Sequence, residues 1–352
     1  MSVDRLLALQ EAHAFDPFPV RDDLGVYHVP FSTLASDGRV EQVLGDGCRR
    51  VERIAIVGDS GTGKSSLTAS VLGPLAEGVA PILVPVAIEP NDTVREPRAM
   101  FAHIAAVIAR VAADAAALSS TDREEALARL TAQRPVGRVG GRSLRLGGGW
   151  MGTTVSAELA RQAGPPQSID RSAAETLEVV EQMLAIIQGE GLVPVLVFDD
   201  TDRWLSGSFR EHEDLARSFF GRVLPALAGL QCSVVVAVHR RYLADAAMRA
   251  DTERVLETLV DLPALRDPNA VGAVLQSRVH AHRRDDDAAS LEDVITVEAV
   301  DRLFELYCTG LRGELRGVLR TAHVALAEAC DSGADLITTA LIDAAYAAWD
   351  SA

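Results

Sequence analysis

Aromatic side chains are scarce in this chain: 9 Phe, 4 Tyr and 3 Trp make up 5% of its 352 residues. The tryptophans, Trp150, Trp204 and Trp349, are too scattered to form a base-stacking platform for single-stranded nucleic acid. Basic residues are also in the minority. Lys and Arg number 34 against 50 Asp and Glu, a formal net charge of −16, so the overall field repels phosphate backbones and any nucleic-acid contact has to be local. The four cysteines, Cys48, Cys232, Cys308 and Cys330, form no C-x-x-C pair, which argues for reduced, mostly buried thiols over zinc ligands or a disulfide framework. No apolar run reaches membrane-spanning length, and Met1-Ser2-Val3-Asp4-Arg5 lacks the charged and apolar regions of a signal peptide. The expectation is a soluble, cytoplasmic protein with no membrane partner.

Apolar residues, by contrast, make up 48% of the chain, enough to bury a sizeable core and to build a main domain with a smaller one beside it. The most informative segment is Gly58-Asp59-Ser60-Gly61-Thr62-Gly63-Lys64-Ser65, which matches G-x-x-x-x-G-K-[ST] at every fixed position. It follows Val51–Val57, a short apolar, β-branched stretch that reads as a buried strand, and precedes Ser66–Leu72, which reads as a helix start. Strand, glycine loop and helix are the context of a phosphate-binding loop. Glycines at 58, 61 and 63 let the backbone turn tightly and aim successive N–H groups of residues 58–66 at phosphate oxygens, helped by the positive end of the helix. Lys64 then serves the β and γ phosphates of ATP, and the Ser65 hydroxyl completes the shell of a magnesium ion. A glycine turn with a chance lysine is the bland alternative.

A second segment fits the first. Val193–Phe198 is an apolar strand ending in Asp199-Asp200, and parallel sheets gather their ligands at the carboxyl ends of their strands. Asp199 suits a Walker B role, holding magnesium through water; Asp200 suits the orientation or deprotonation of an attacking water. An aspartate pair after a strand also serves as a helix N-cap, a role open to Asp202 too.

One segment runs against the acidic whole. From Arg134 to Ala157 the chain carries Arg134, Arg138, Arg142 and Arg145 and no acid, interleaved with Gly137, Gly140, Gly141, Gly147, Gly148 and Gly149, and Arg142–Leu146 and Thr153–Ser156 have the pattern of a hairpin. It is either a local DNA contact or a solvated insertion whose arginines offset the surrounding acidity.

Further strands are expected at Pro81–Ile88, Gln231–Val238 and Val255–Leu262, and helices at Arg98–Leu118, Arg171–Glu190, Asp267–His282, Thr296–Tyr307, Leu311–Ala329 and Thr338–Trp349. The implied organisation is an amino-terminal arm over residues 1–50, an α/β domain over 51–263 with the arginine–glycine insertion at about 119–169, and a helical lid over 264–352. The fold class is α/β: a P-loop NTPase with a parallel five-stranded sheet flanked by helices, one strand inserted between glycine loop and acidic strand, plus a small all-helical carboxy-terminal lid. In the arm, Tyr27-His28-Val29-Pro30-Phe31 is a candidate to lie across a base pocket. His280 and His282, two apart on a helix, face different ways and read as a solvated helix end, and lone His103 and His323 as hydrogen-bonded residues in or near the core.

Together these features resemble AAA+ ATPases from about Arg50 to the end of the chain. Leu262-Pro263-Ala264-Leu265-Arg266-Asp267-Pro268-Asn269-Ala270 is similar to the strand-to-lid junction of archaeal origin-recognition initiators and their bacterial relatives, and Phe198-Asp199-Asp200-Thr201-Asp202-Arg203 to the acidic strand of KAP-type NTPases. The chain departs from the former in showing no winged-helix domain after the lid, and from the latter in carrying no inserted membrane segments. The resemblance implies a sensor 1 position at His239, with Arg240 beside it either as an arginine sensor or as a surface cap. It implies a sensor 2 helix at Gly313–Leu319 with Arg316 reaching the γ phosphate, or Arg312 if the register shifts by a turn. It also implies an arginine finger donated in trans by Arg254 or Arg249. The activity implied is magnesium-dependent hydrolysis of ATP to ADP and phosphate by a nucleotide-dependent homo-oligomer. Two roles suit it: control of a partner effector protein, as in bacterial defence or signalling, or a DNA-linked regulator of replication or transposition that oligomerises on duplex DNA. The acidic balance favours the protein partner.

Overall fold

The computed structural model describes residues 2–19, 24–36, 38–73, 78–86, 94–114, 172–189, 191–202, 209–282 and 290–350. The arginine–glycine insertion with its expected hairpin, Trp150, Arg203, Trp204 and the charged run 283–287 lie outside the described residues. The chain forms two compact units, one of residues 43–58 and 71–260, the other of residues 1–42, 59–70 and 261–352.

The first unit holds the sheet. Its strands are β1 (Arg53–Val57), β2 (Val79–Leu83), β3 (Val193–Phe198), β4 (Ser233–Val238) and β5 (Thr258–Asp261), in the order β2-β3-β4-β1-β5. The β2–β3, β3–β4 and β4–β1 pairs are parallel, with Val57 opposite Val238 and Phe198 opposite Val236. This is the α/β architecture of a P-loop NTPase with a five-stranded parallel sheet, and β4 is the strand inserted between β1 and β3. Helices cover the sheet, so its strands read as unbroken apolar runs; all six residues of β4 are buried. Pro81 is tolerated because β2 is an edge strand. β5 begins at Thr258, three residues later than its apolar pattern predicts, because Val255 closes the helix Ala246–Val255.

Helices Pro97–Asp114 and Ala173–Gly189 supply one wall of this core. Met100, Phe101, Ile104, Ala105 and Ile108 recur at helical spacing and pack with Val180, Met183, Leu184 and Ile187. Each such large side chain contributes about 1.5–3 kcal/mol by leaving water. A second helical run, Phe209–Ser218 continuing to Leu224–Leu227, was not foreseen from the sequence. It passes through a π turn at Phe219–Val223, just before Pro225, whose ring has no N–H and crowds the preceding carbonyls, so the helix widens there.

The second unit gathers the helices Ser2–Glu11 and Phe31–Leu34 with Pro268–His282, Val297–Thr309, Leu315–Ser332 and Thr339–Asp350. Among its described residues after Asp261 there is only an isolated bridge, Ile295 to Ile337, and no strand. Leu315–Ser332 starts four residues after the pattern predicts. The turn before it carries left-handed backbone at Arg312 (φ 50°) and Gly313 (φ 80°), and a Cβ at Gly310 would lie 2.2 Å from the Tyr346 hydroxyl. The helix closes on Gly333 in the left-handed conformation. Cys48 and Cys232 are buried free thiols, and burial pushes each pKa up to about 12; Cys308 is exposed.

Candidate nucleotide site

The glycine loop leaves β1 at Gly58, whose N–H donates to Val238 O at 3.1 Å and so extends the β1–β4 ladder by one residue. Of the three glycines, Gly61 (φ 73°) and Gly63 (φ 100°) hold backbone that only glycine adopts freely; Gly58 does not. Lys64 opens the helix Lys64–Leu72 and is 6% exposed. Its Nζ donates to Asp59 O at 2.7 Å, and the Thr62 hydroxyl donates to the same oxygen at 2.8 Å. Ser65 and Ser66 follow within the helix's first turn, where the early N–H groups have no carbonyl of their own helix to bind. Ser60, like the rest of the loop from Asp59 to Gly63, is half-buried.

The arm packs on this loop. The Ser66 hydroxyl lies 3.1 Å from Leu24 O and 3.3 Å from His28 Nδ1, while His28 Nε2 lies 3.0 Å from Glu41 Oε1. A carboxylate only accepts, so the neutral ring carries its proton on Nε2, while the single Ser66 hydroxyl proton goes to Leu24 O. Burial holds the His28 pKa below its ordinary value of 6.5, against the raising influence of Glu41. Glu41 Oε1 also accepts the Phe31 N–H at 2.7 Å, and the Phe31 ring lies 3.9 Å from where a Cβ on Gly63 would stand. Sequence reasoning picked out the segment Tyr27–Phe31 but missed Glu41, whose only signal is an acid in the first turn of the helix Val40–Arg49.

Arg316 lies against the loop as well. Its N–H donates to Gly61 O at 3.2 Å, and a Cβ at Gly61 would stand 2.6 Å from the Arg316 Cβ. Gly61 is therefore fixed twice, by its φ and by this approach. The Arg316 guanidinium sits over the Phe18 ring at 5.0 Å. Glu314, just before it, is pushed above the usual carboxylate range by burial; Arg316 pulls it down and Asp59 adds to the rise. Arg312 belongs to the left-handed turn and not to the helix.

In the sheet unit, parallel pairing brings the carboxyl ends of β1, β4 and β3 to one edge. Asp199, 5% exposed, follows β3 and accepts the Asp200 N–H on Oδ1 at 2.8 Å. Asp200 holds φ 61°, a left-handed conformation that costs a non-glycine residue about 1–2 kcal/mol. The next residue, Thr201, is fully buried; its hydroxyl donates to Ala237 O and its carbonyl accepts the Tyr242 hydroxyl at 2.8 Å. A chain of rings, Phe198 to Phe219 at 5.7 Å, Phe219 to Phe220 at 5.3 Å and Phe220 to Tyr242 at 5.1 Å, supports this end of β3. His239 follows β4 as N-cap of the helix Arg240–Ala244. Its Nδ1 accepts the Arg241 N–H at 3.0 Å, so the neutral ring keeps its proton on Nε2. Arg240 is exposed at the start of that helix.

Arg254 and Arg249 lie on the helix before β5. Both are exposed; Arg254 pairs with Asp251 at 3.4 Å, and Arg249 Nε donates to Leu243 O at 2.6 Å. His280 is exposed as expected, but His282 is not a merely solvated end, because its Nε2 lies 2.8 Å from the Tyr27 hydroxyl. His103 bonds Pro85 O at 3.0 Å, while His323 stacks on His13 at 6.1 Å and its buried Nδ1 has no hydrogen bond. Among the described residues no group of three or more His, Cys, Asp and Glu gathers as a metal site of the all-protein kind. No helix among them is long and apolar enough to cross a membrane.

No protein-family model matches the chain, and no curated protein matches it. Solved structures similar to it include the Aeropyrum pernix ORC2 protein in ADPNP–ADP complexes, at 14% identity and a TM-score of 0.47 over 92% of this chain and 70% of that one. The ADP form of that protein gives 15% identity and a TM-score of 0.48 over 92% and 71%. Drosophila ORC bound to DNA gives 15% and 0.45 over 93% and 64%.

Proposed function

We propose that the chain binds ATP with magnesium and hydrolyses it to ADP and phosphate as an AAA+ type switch that controls a partner protein. The observation that carries this reading is the complete G-x-x-x-x-G-K-[ST] loop with positive φ at Gly61 and Gly63, running from β1 into a helix. Lys64 has three donors, enough to keep Asp59 O and still contact β and γ phosphate oxygens. The backbone N–H groups of residues 58–66, at the start of this helix, receive the phosphate charge. The Ser65 hydroxyl and the Asp199 carboxylate are hard oxygen donors of the kind that would hold magnesium. Magnesium would supply charge neutralisation on the phosphates.

Asp200 aligns the attacking water and takes its proton, His239 serves as the sensor 1 group, and Arg316 contacts the γ phosphate. An arginine from a neighbouring copy, Arg254 or Arg249, completes the charge stabilisation, so activity requires assembly. The net charge of −16 favours a protein partner, such as an effector in bacterial defence or signalling, over duplex DNA. The test is phosphate release against protein concentration, with and without magnesium, beside size measurement with and without ATP. The reading expects magnesium-dependent release whose specific rate rises with concentration as a larger species forms, and a fall in rate more than in binding for Arg254→Ala or Arg249→Ala. A strictly monomeric protein with a concentration-independent rate contradicts the assembly, and no release under any condition contradicts the activity.

A further inference from the structure

Phe18 is 66% exposed, an unusual place for a phenylalanine in a chain with only nine, yet the backbone around it is tightly specified. Phe15, three residues earlier, is fully buried and anchors the segment. Asp16 folds it over: its Oδ1 accepts the Phe18 N–H at 2.8 Å, an Asx turn, and its carbonyl accepts from Arg278 Nη1 at 3.1 Å. Arg278 is itself only 5% exposed and lies 4.1 Å from the centroid of the Tyr27 ring, so the contact that pins the turn is rigid. Pro17 and Pro19 fix φ on both sides of Phe18. A ring that buries little of itself gains little from the hydrophobic effect, so the fold does not explain this presentation. What the ring does touch is Arg316, whose guanidinium carbon stands 5.0 Å from its centroid, within cation–π range.

We propose that Phe18 is a positioning residue for Arg316: its ring face holds the guanidinium by a cation–π contact and restricts where that charge stands beside the glycine loop. The backbone of Arg316 is already fixed, by its N–H on Gly61 O and by the approach of its Cβ to Gly61. An arginine side chain nonetheless has four rotatable bonds beyond Cα, and its head sweeps several ångströms unless something holds it. Burial raises the pKa of Glu314, its nearest acid in sequence, and the contact the guanidinium makes with a defined geometry is the Phe18 ring. Holding the head lowers the entropy lost when the charge meets a phosphate, and a neutral face does so without the competition a carboxylate would offer.

This inference rests on the reading of Arg316 as a phosphate contact, and the test separates the two. Steady-state ATP hydrolysis is measured for the wild type, Phe18→Leu, Phe18→Trp, Arg316→Ala and Phe18→Leu/Arg316→Ala, with thermal unfolding of each. The Arg316 side-chain proton shifts are followed by NMR without nucleotide. Phe18→Leu is expected to unfold at the wild-type temperature, to lose the upfield ring-current shift of Arg316, and to lower kcat about 2- to 5-fold, the range of an exposed cation–π contact. Phe18→Trp restores both shift and rate, and the double variant matches Arg316→Ala alone. An unshifted Arg316 signal in the wild type, a Phe18→Trp rate as low as that of Phe18→Leu, or multiplicative losses in the double variant overturns the role of Phe18. Wild-type hydrolysis that survives Arg316→Ala overturns the phosphate contact itself, and the proposal with it, whatever the NMR shows.

Discussion

The glycine loop and the acidic end of β3 are held by opposite means. The loop belongs to a unit built from sequence-distant pieces, and its contacts are polar or through backbone: Ser66 to His28 and Leu24 O, and Arg316 N–H to Gly61 O. Asp199 and Asp200 instead stand on a buried aromatic chain, Phe198–Phe219–Phe220–Tyr242, with one buried threonine tying β3 to β4. A polar seat with a titratable histidine responds to pH and to what lies next to it. An aromatic seat does not respond to either, and fixes strained backbone at Asp200 instead.

The largest effect is expected at that strained residue. Asp200→Asn keeps the shape and tolerates the left-handed backbone, since asparagine adopts it readily, but removes the base. ATP and magnesium binding by calorimetry should be unchanged while kcat falls about 10²- to 10⁴-fold. Turnover near the wild-type rate would assign water activation to another group. Next in size is the aromatic seat: Phe219→Ala should cost about 3–5 kcal/mol in chemical denaturation, because its ring is fully buried. A loss under 1 kcal/mol would mean the seat is redundant.

On the loop, the contrast between two glycines is smaller and more informative. Gly63→Ala carries the backbone strain alone, since the added Cβ meets only Phe31 at 3.9 Å; Gly61→Ala adds a 2.6 Å clash with the Arg316 Cβ. Both should lose about 1–2 kcal/mol to the left-handed conformation. Gly61→Ala should lose more, and should also displace Arg316, seen as a shift of its amide signal. Equal losses would say that the Arg316 approach is not tight.

The smallest effect is the pH response of the loop's polar seat. Burial lowers the His28 pKa, so the folded state prefers the neutral ring and the unfolded chain binds its proton first. The stability this supplies is fully present above the unfolded value of about 6.5 and is lost as pH falls below it through the lowered folded value. Denaturation curves from pH 7.5 to 5 should therefore fall more steeply for the wild type than for His28→Gln. Parallel curves would remove His28 from the linkage.

Much of this was legible in the sequence, for reasons that differ by region. The strands showed because a covered sheet demands continuous apolar runs, and the glycine loop showed because its motif has fixed positions. The helices after Asp261 showed through their 3.6-residue periodicity. The helix at 209–227 was missed; Gly221 and Pro225 interrupt its pattern, and the structure accommodates them with a π turn. Glu41 and Phe18 were missed for a different reason: neither belongs to a motif, and their partners, His28 and Phe31 for Glu41 and Arg316 for Phe18, follow no helix or strand spacing. Long-range polar contacts leave no periodic trace.

Everything proposed for the loop depends on Lys64 contacting phosphate. Isothermal titration of ATP with magnesium into wild type and Lys64→Ala, each first shown by circular dichroism to be folded alike, tests that directly. The wild type should bind, and Lys64→Ala should bind at least about 10- to 100-fold more weakly, the loss of a charge-assisted hydrogen bond. Equal affinity in two well-folded proteins would contradict the assignment of this loop as a nucleotide site.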